Sequence, residues 1–167
     1  GTVCNISDYA EEIKALLAAH QPNPIQVQDP DIENPVAFVL EKHLEDFLVA
    51  NWGQTELGRR YNIFEDDGEI IGQQFATDTG NMDILAISKD RRELLVVELK
   101  KGQAADKVVG QILRYMGYAA QELAEEGQTV KGIIVAQEDD LRLRRALSVT
   151  PNVSFYRYQV SFKLIPS

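Results

Sequence analysis

The hydrophobic and polar positions along the chain divide it into a leading segment and one longer folded region. Residues 1–34 combine a short amphipathic stretch with a proline-rich run, which predicts a helix followed by an irregular linker. From Pro35 the apolar positions recur with helical spacing as far as Trp52, which predicts an amphipathic helix. We therefore expect a folded domain over residues 35–167.

Four strand-like runs follow this helix, and turn-forming sequences separate them. They read RRYNIFE, EIIGQQFAT, MDILAIS and LLVVELK, with DDG, DTG and KDRR between them. A long helix is then predicted over AADKVVGQILRYMGYAAQELAEEG, followed by the strand VKGIIVA, the short helix DDLRLRRALSV and the final strand VSFYRYQVSFKL. This order predicts an α/β domain built around one central mixed sheet that helices flank.

Composition and charge narrow the class of protein only a little. With 44% hydrophobic and 26% charged residues, the chain has the composition of an ordinary globular domain. A single cysteine excludes an internal disulfide and favours a reducing, cytoplasmic location. No apolar run approaches the length of a membrane span. The net charge of −9 argues against a nucleic-acid partner, but basic residues gather in RLRR, KDRR and KKG.

Two acidic residues interrupt strands that are otherwise apolar. Asp83 lies in MDILAIS, and Glu98 lies near the end of LLVVELK, two residues before Lys100. If these strands form a hairpin with a two-residue or four-residue turn in KDRR, the numbers of paired residues sum to 181. Asp83 and Glu98 then face each other with Cβ atoms about 4.5–5.5 Å apart. A turn shifted by one residue would instead place them on opposite faces.

Like charges that face each other destabilise a sheet unless something neutralises them, and a divalent cation does so. Mg²⁺ prefers one or two carboxylates together with water, and the Leu99 carbonyl is a further candidate ligand. Lys100 is suited to holding or deprotonating an attacking water, or to stabilising charge on a phosphate. The alternative interpretation is a solvated Glu–Lys pair on an exposed strand.

Polar residues on two predicted helices are further candidates. Gln111 and Tyr115 are four residues apart and share a helix face, with Arg114 beside them, which suits contact with a substrate. Glu41 and Glu45 have the same spacing in the first domain helix, so either is a candidate third carboxylate. In both cases the alternative is a solvated helix edge.

These motifs together resemble the PD-(D/E)XK nuclease superfamily, and above all the catalytic domain of NucS-type endonucleases, also called EndoMS. The resemblance runs from Pro35 to Leu164 through LEKHLEDFLVANW, GNMDILAI, LLVVELKKG, VVGQILRYMGYA and VKGIIVA, in that order. It implies a restriction-endonuclease-like core. The implied roles are metal ligation by the acid pair and the Leu99 carbonyl, a catalytic lysine, an additional helix acid, and a helix pair that supports the site and touches nucleic acid. The residues matched to these roles are Asp83, Glu98, Leu99, Lys100, Glu41, Gln111 and Tyr115.

The resemblance also implies an activity, Mg²⁺- or Mn²⁺-dependent hydrolysis of phosphodiester bonds, most simply in DNA, with RNA left open. Arg114 and Lys101 are then candidate contacts to the phosphate backbone. Met82 stands where many members have proline, which leaves the ligand itself unaffected. The residues before Pro35 are too few for the N-terminal DNA-binding domain of NucS, so we expect a homodimer or an additional DNA-binding domain or partner. The rival interpretation is a non-catalytic module of this fold that binds nucleic acid or protein.

Overall fold

The computed structural model describes residues 35–159 and 163–167. The predicted helix and linker of residues 1–34 lie outside this range. Within the described part of the chain, no helix is both long and apolar enough to cross a membrane.

The predicted helices and strands occur in the predicted order, and a short helix at Glu56–Arg60, which was not predicted, precedes the first strand. The helices are α1 (Pro35–Ala50), α2 (Glu56–Arg60), α3 (Lys107–Tyr118) and α4 (Leu141–Ser148), with a 3₁₀ turn at Trp52–Gln54 and a π-helical turn at Ala119–Leu123. The strands are β1 (Tyr61–Ile63), β2 (Glu65–Asp66), β3 (Glu69–Ile70), β4 (Gln73–Thr77), β5 (Gly80–Ser88), β6 (Glu93–Leu99), β7 (Thr129–Ala136) and β8 (Val153–Arg157).

Six of these strands form one mixed sheet in the order β1-β5-β6-β7-β8, with β4 also paired to β5. The pairs that involve β5 are antiparallel, whereas β6, β7 and β8 run parallel to one another. Strands β2 and β3 form a separate two-stranded hairpin. The mixed sheet with helices on its faces confirms the predicted fold class.

Apolar side chains cover both faces of this sheet, which explains why the central strands are hydrophobic throughout. On one face α3 and α4 contribute Val108, Ile112, Met116 and Leu143 to a buried cluster. On the other face Trp52 and Leu57 are buried with strand residues, and Leu44 and Leu48 of α1 pack against them. The sheet is therefore the middle layer of three.

The boundaries of four predicted elements differ in the structure. The run RRYNIFE contains the last two residues of α2, the whole of β1 and the first residue of β2. The run EIIGQQFAT is divided between β3 and β4, because the N–H groups of Ile71 and Gly72 both donate to the Phe64 carbonyl. Gly72 passes so close to β5 that a Cβ atom there would lie 2.3 Å from the Leu85 carbonyl oxygen. The long helix leaves α geometry after Tyr118 and ends at Leu123, before the predicted Gly127. The final strand ends at Arg157, and residues 160–162 lie outside the described range.

Candidate active site

The β5–β6 hairpin has the predicted register. Residues 89–92 form its four-residue turn, and the paired residues run from Ile87 opposite Leu94 to Ile84 opposite Val97. Each of these pairs sums to 181, so the next position in the ladder brings Asp83 to Glu98. The hairpin prediction is therefore confirmed in its turn and register.

Side chains take over the hydrogen bonding where this ladder ends. The Asp83 N–H donates to Glu98 Oε1 at 3.3 Å, and the Leu99 N–H donates to Asp83 Oδ2 at 2.8 Å. The two carboxyl groups are also close enough to share a hydrogen bond. The acids thus form one contacting pair inside the sheet.

Burial makes this acid pair hold protons more tightly than ordinary carboxylates. Glu98 is only 1% exposed, and its burial together with the charge of Asp83 raises the pKa of its carboxyl from 4.5 to about 9. Burial raises the pKa of Asp83 to about 6, although the hydrogen bond from the Leu99 N–H opposes the rise. Burial is the largest cause of both shifts, and the positive charge of Lys100 opposes them.

Two lysines follow Glu98 at the end of β6. The N–H of Lys100 donates to the Val135 carbonyl at 2.8 Å, which fixes this residue just past the carboxyl end of β6. The positive charge of Lys100 lowers the pKa of both Asp83 and Glu98, so the ammonium group lies within electrostatic reach of the pair. Lys101 is exposed to solvent.

Helix α1 brings two glutamates to this region in different ways. Glu45 is 3% exposed, and its charge helps to raise the pKa of Asp83. Glu41 instead accepts a hydrogen bond from the backbone N–H of Lys101 at 2.9 Å, which ties α1 to the segment after Lys100. Both acids border the site, and the charge of Glu45 acts on Asp83.

Two glutamines of β4 hold the buried carboxylate of Glu45. The side-chain amide of Gln73 donates to Glu45 Oε1 at 3.0 Å, and that of Gln74 donates to Glu45 Oε2 at 2.7 Å. The Gln74 amide also donates to Asp83 Oδ1 at 3.1 Å. Neither glutamine was predicted to belong to the site, because Gln–Gln in a strand-like run carries no signal of its own.

The three polar residues of α3 have different surroundings. Tyr115 is 4% exposed and belongs to the buried cluster, whereas Gln111 is half-buried and Arg114 is exposed. The Tyr115 hydroxyl lies against Gly80 at the start of β5, where a Cβ atom would approach it to 2.6 Å. Tyr115 therefore contacts the strand that carries Asp83. This burial of Tyr115 was not predicted, although its spacing from Ile112 and Ala119 could have indicated it.

The donor set suits a hard divalent cation bound partly by water. Among residues 35–159 and 163–167, no group of three or more His, Cys, Asp or Glu side chains is arranged to hold a metal ion. Asp83 and Glu98 supply two contacting carboxylates, and Mg²⁺ is commonly held by one or two carboxylates together with water. Leu99 lies beside them through its N–H contact with Asp83. These residues fit Mg²⁺ or Mn²⁺.

A mixed sheet with an acid on one strand and Glu-x-Lys on its antiparallel neighbour defines a restriction-endonuclease-like α/β domain. The family model described as the endonuclease NucS C-terminal domain matches residues 41–154. This chain belongs to the family of NucS C-terminal domains.

Solved structures share this fold at low sequence identity. An EndoMS complex with double-stranded DNA has a TM-score of 0.56 and 19% identity, over 83% of this chain and 52% of that one. A repair endonuclease from Pyrococcus abyssi has a TM-score of 0.51 and 20% identity, over 80% and 50%. EndoMS in its apo form has a TM-score of 0.53 and 18% identity, over 81% and 50%.

The chain spans about half the length of each of these structures. No curated protein sequence matches it.

Proposed function

We propose that this chain is a metal-dependent nuclease domain that hydrolyses phosphodiester bonds in DNA. The observation that carries the proposal is the contacting Asp83–Glu98 pair, with Lys100 directly after it, in a domain of the NucS family. Burying two acidic side chains together lowers the stability of a fold, so their presence indicates a function that needs their charge. Binding a catalytic cation is such a function.

In this proposal Asp83 and Glu98 hold Mg²⁺ or Mn²⁺, with the Leu99 carbonyl as a further candidate ligand. When bound, the cation supplies Lewis-acid stabilisation of the charge that develops on the phosphate. Lys100 orients the attacking water through its ammonium N–H groups and adds positive charge beside the scissile phosphate. Glu41, whose carboxylate holds the Lys101 backbone, keeps this end of β6 next to α1.

Two exposed cations and one glutamine are the proposed contacts to the DNA backbone. Lys101 and Arg114 are exposed, and Gln111 on α3 is accessible enough to donate a hydrogen bond. Tyr115 is assigned a supporting part, because its hydroxyl lies against Gly80. DNA binding is favoured by the likeness to EndoMS, one of whose matched structures is a complex with double-stranded DNA.

A second candidate function is that of a non-catalytic module of the same fold. The short length of this chain relative to the matched structures favours this candidate. The chain covers about half of each matched structure, so this candidate assigns cleavage to a larger assembly. A homodimer would supply a second cleft, and an additional DNA-binding domain would supply further contacts to DNA. We further propose a cytoplasmic location, in keeping with the single cysteine.

The test is cleavage of end-labelled single-stranded, duplex, mismatched and flapped DNA, and of one RNA, with Mn²⁺, Mg²⁺ or EDTA. Glu98→Ala and Lys100→Ala are assayed beside Lys89→Ala, a matched control in the turn at the opposite end of β5. We expect cutting with Mn²⁺ or Mg²⁺ only, at least a hundredfold slower in the two site variants and unchanged in the control.

Each other outcome has a distinct meaning. Cutting of RNA alone would replace the proposed substrate while keeping the site. An intact set of substrates together with Mn²⁺ binding would favour the non-catalytic module. Cutting that persists in EDTA or in Glu98→Ala would contradict the proposed mechanism.

A further inference from the structure

Gln74 has a backbone conformation that a strand residue rarely adopts. Its φ is +51°, in the left-handed region, although it lies inside β4 between Gln73 and Phe75. Side chains other than glycine are disfavoured there, and such residues cluster at functional sites when their surroundings hold them in place. The conformation therefore calls for a structural reason.

The reason is visible in the contacts of the two glutamines. Successive residues of a strand normally point to opposite faces of the sheet. Gln73 and Gln74 nevertheless reach the same carboxylate, one touching Oε1 of Glu45 and the other Oε2. The left-handed φ of Gln74 breaks the alternation and turns its amide toward the acids.

The amide of Gln74 joins the helix acid to the acid pair. Its nitrogen donates to Glu45 Oε2 at 2.7 Å and to Asp83 Oδ1 at 3.1 Å, and an amide nitrogen has two N–H groups to donate. Asp83 Oδ2 is held separately by the Leu99 N–H. Both oxygens of the Asp83 carboxylate are thus oriented by donors on two different strands.

A neutral amide suits this position better than a cation would. It fixes the direction of the Asp83 carboxylate without supplying positive charge, so the negative charge stays available to a metal ion. The same amide nitrogen stands between the carboxylates of Glu45 and Asp83 and donates to both. No group of three carboxylates arranged to hold a metal ion is present among the described residues.

We propose that Gln74 is a positioning residue, which orients Asp83 for the divalent cation and links it to Glu45, so that Glu45 acts through Gln74 and not as a metal ligand. This inference rests on the proposed function, because it assumes that Asp83 and Glu98 bind the cation.

The experiment titrates MnCl₂ into the wild-type chain and into Gln74→Ala and Gln74→Gly by calorimetry, with melting temperatures measured in EDTA. Both variants lose the amide, but glycine accepts the left-handed φ that alanine resists. We expect Mn²⁺ affinity to fall about 10- to 100-fold in both, as is typical when a partner of a metal ligand is removed. Gln74→Gly should have a higher melting temperature than Gln74→Ala. A loss of Mn²⁺ affinity shared by both variants is then not a result of lost stability.

Gln121→Ala is the matched control. Gln121 is exposed in the π-helical turn at Ala119–Leu123, and it is not among the described residues that contact Asp83 or Glu45. We expect its Mn²⁺ affinity to stay within about twofold of wild type. In a cleavage assay, raising Mn²⁺ to saturation should restore kcat in the Gln74 variants, whereas Lys100→Ala should stay impaired at any Mn²⁺ concentration.

Two results would overturn the inference, and they differ in what else they remove. Wild-type affinity in Gln74→Gly would reject the positioning role alone and leave the metal site standing. Failure of the wild-type chain to bind Mn²⁺ would remove the proposed function as well as the role of Gln74.

Discussion

At the scale of single residues, the site depends on two carboxyl groups that accept backbone hydrogen bonds where the β5–β6 pairing ends. Asp83 and Glu98 bond to each other's strands through side-chain oxygens. Their facing arrangement was predictable from the sequence, because a hairpin register fixes every pair once its turn is known. The different contacts of Glu41 and Glu45 were not predictable from their spacing, since residues four apart share a helix face and only the docking of the helix decides what each one meets.

The raised pKa of Glu98 makes stability depend on pH in the absence of metal. Between the ordinary pKa of 4.5 and the folded value of about 9, the folded chain binds a proton that the unfolded chain releases. The free energy of unfolding should therefore fall as pH rises through this window, by up to about 1.4 kcal/mol per pH unit. Urea unfolding in EDTA at several pH values from 5 to 9 measures it.

Glu98→Gln is the control for this pH dependence. It keeps the shape of the side chain but has no proton to lose, so its unfolding free energy should be nearly flat from about pH 6 to 9. The rise in the pKa of Asp83 to about 6 adds a further fall only at lower pH. An equal fall above pH 6 in both proteins would show that Glu98 is not its source.

Metal binding should release a proton for the same reason. A carboxyl group must be deprotonated to act as a ligand, and Glu98 holds its proton up to about pH 9. Mn²⁺ affinity should rise by up to about tenfold per pH unit between pH 6 and 9. Calorimetric titration in two buffers of different ionisation enthalpy measures the number of protons released per Mn²⁺ bound. A Mn²⁺ affinity that does not change with pH would contradict Glu98 as a ligand.

At the scale of elements, periodicity predicted the helices and strands, while close approaches of the backbone determined where they end. The register of the β5–β6 hairpin and most of the buried face of α3 followed from the sequence pattern, which left two lengths of the turn open. The break between β3 and β4 did not, because it depends on Gly72 approaching the Leu85 carbonyl across the sheet. The left-handed Gln74 depends likewise on acids contributed by a helix and a neighbouring strand, which no local pattern reveals.

The contact between α3 and the start of β5 can be tested with a double-mutant cycle. A Cβ atom on Gly80 would lie 2.6 Å from the Tyr115 hydroxyl, and the φ of Gly80 is +132°. Gly80→Ala should lower the free energy of unfolding by about 1–3 kcal/mol. Tyr115→Phe in the same chain should recover part of this loss, because it removes the hydroxyl and leaves only the backbone strain.

Gly110→Ala is the matched control for this cycle, since nothing lies within 4 Å of a Cβ atom at that helical position. It should be neutral or stabilising, because alanine favours helix more than glycine does. Thermal unfolding of the four proteins of the cycle measures the coupling. An additive result would mean that Tyr115 does not bear on Gly80.

At the scale of the whole molecule, the proposed binding of DNA by a chain with a net charge of −9 requires local positive charge. Lys101 and Arg114 are the exposed cations assigned to this contact. Replacing either with alanine should weaken DNA binding severalfold, measured with Ca²⁺ in place of Mg²⁺ so that the DNA is not cut. It should also reduce the slope of log affinity against log salt concentration by about one. Lys89→Ala should keep the wild-type slope, and equal slopes in all variants would place the DNA elsewhere.

Melting temperature against MnCl₂ concentration, for the wild-type chain and Asp83→Asn, tests the metal site most directly. At a hundred times the Kd, Mn²⁺ should stabilise the wild-type chain by about 2.7 kcal/mol, which corresponds to a rise of several degrees. Asp83→Asn should show almost no rise. A wild-type melting temperature that is indifferent to Mn²⁺, or an equal rise in both proteins, would contradict Asp83 and Glu98 as the cation site of a nuclease.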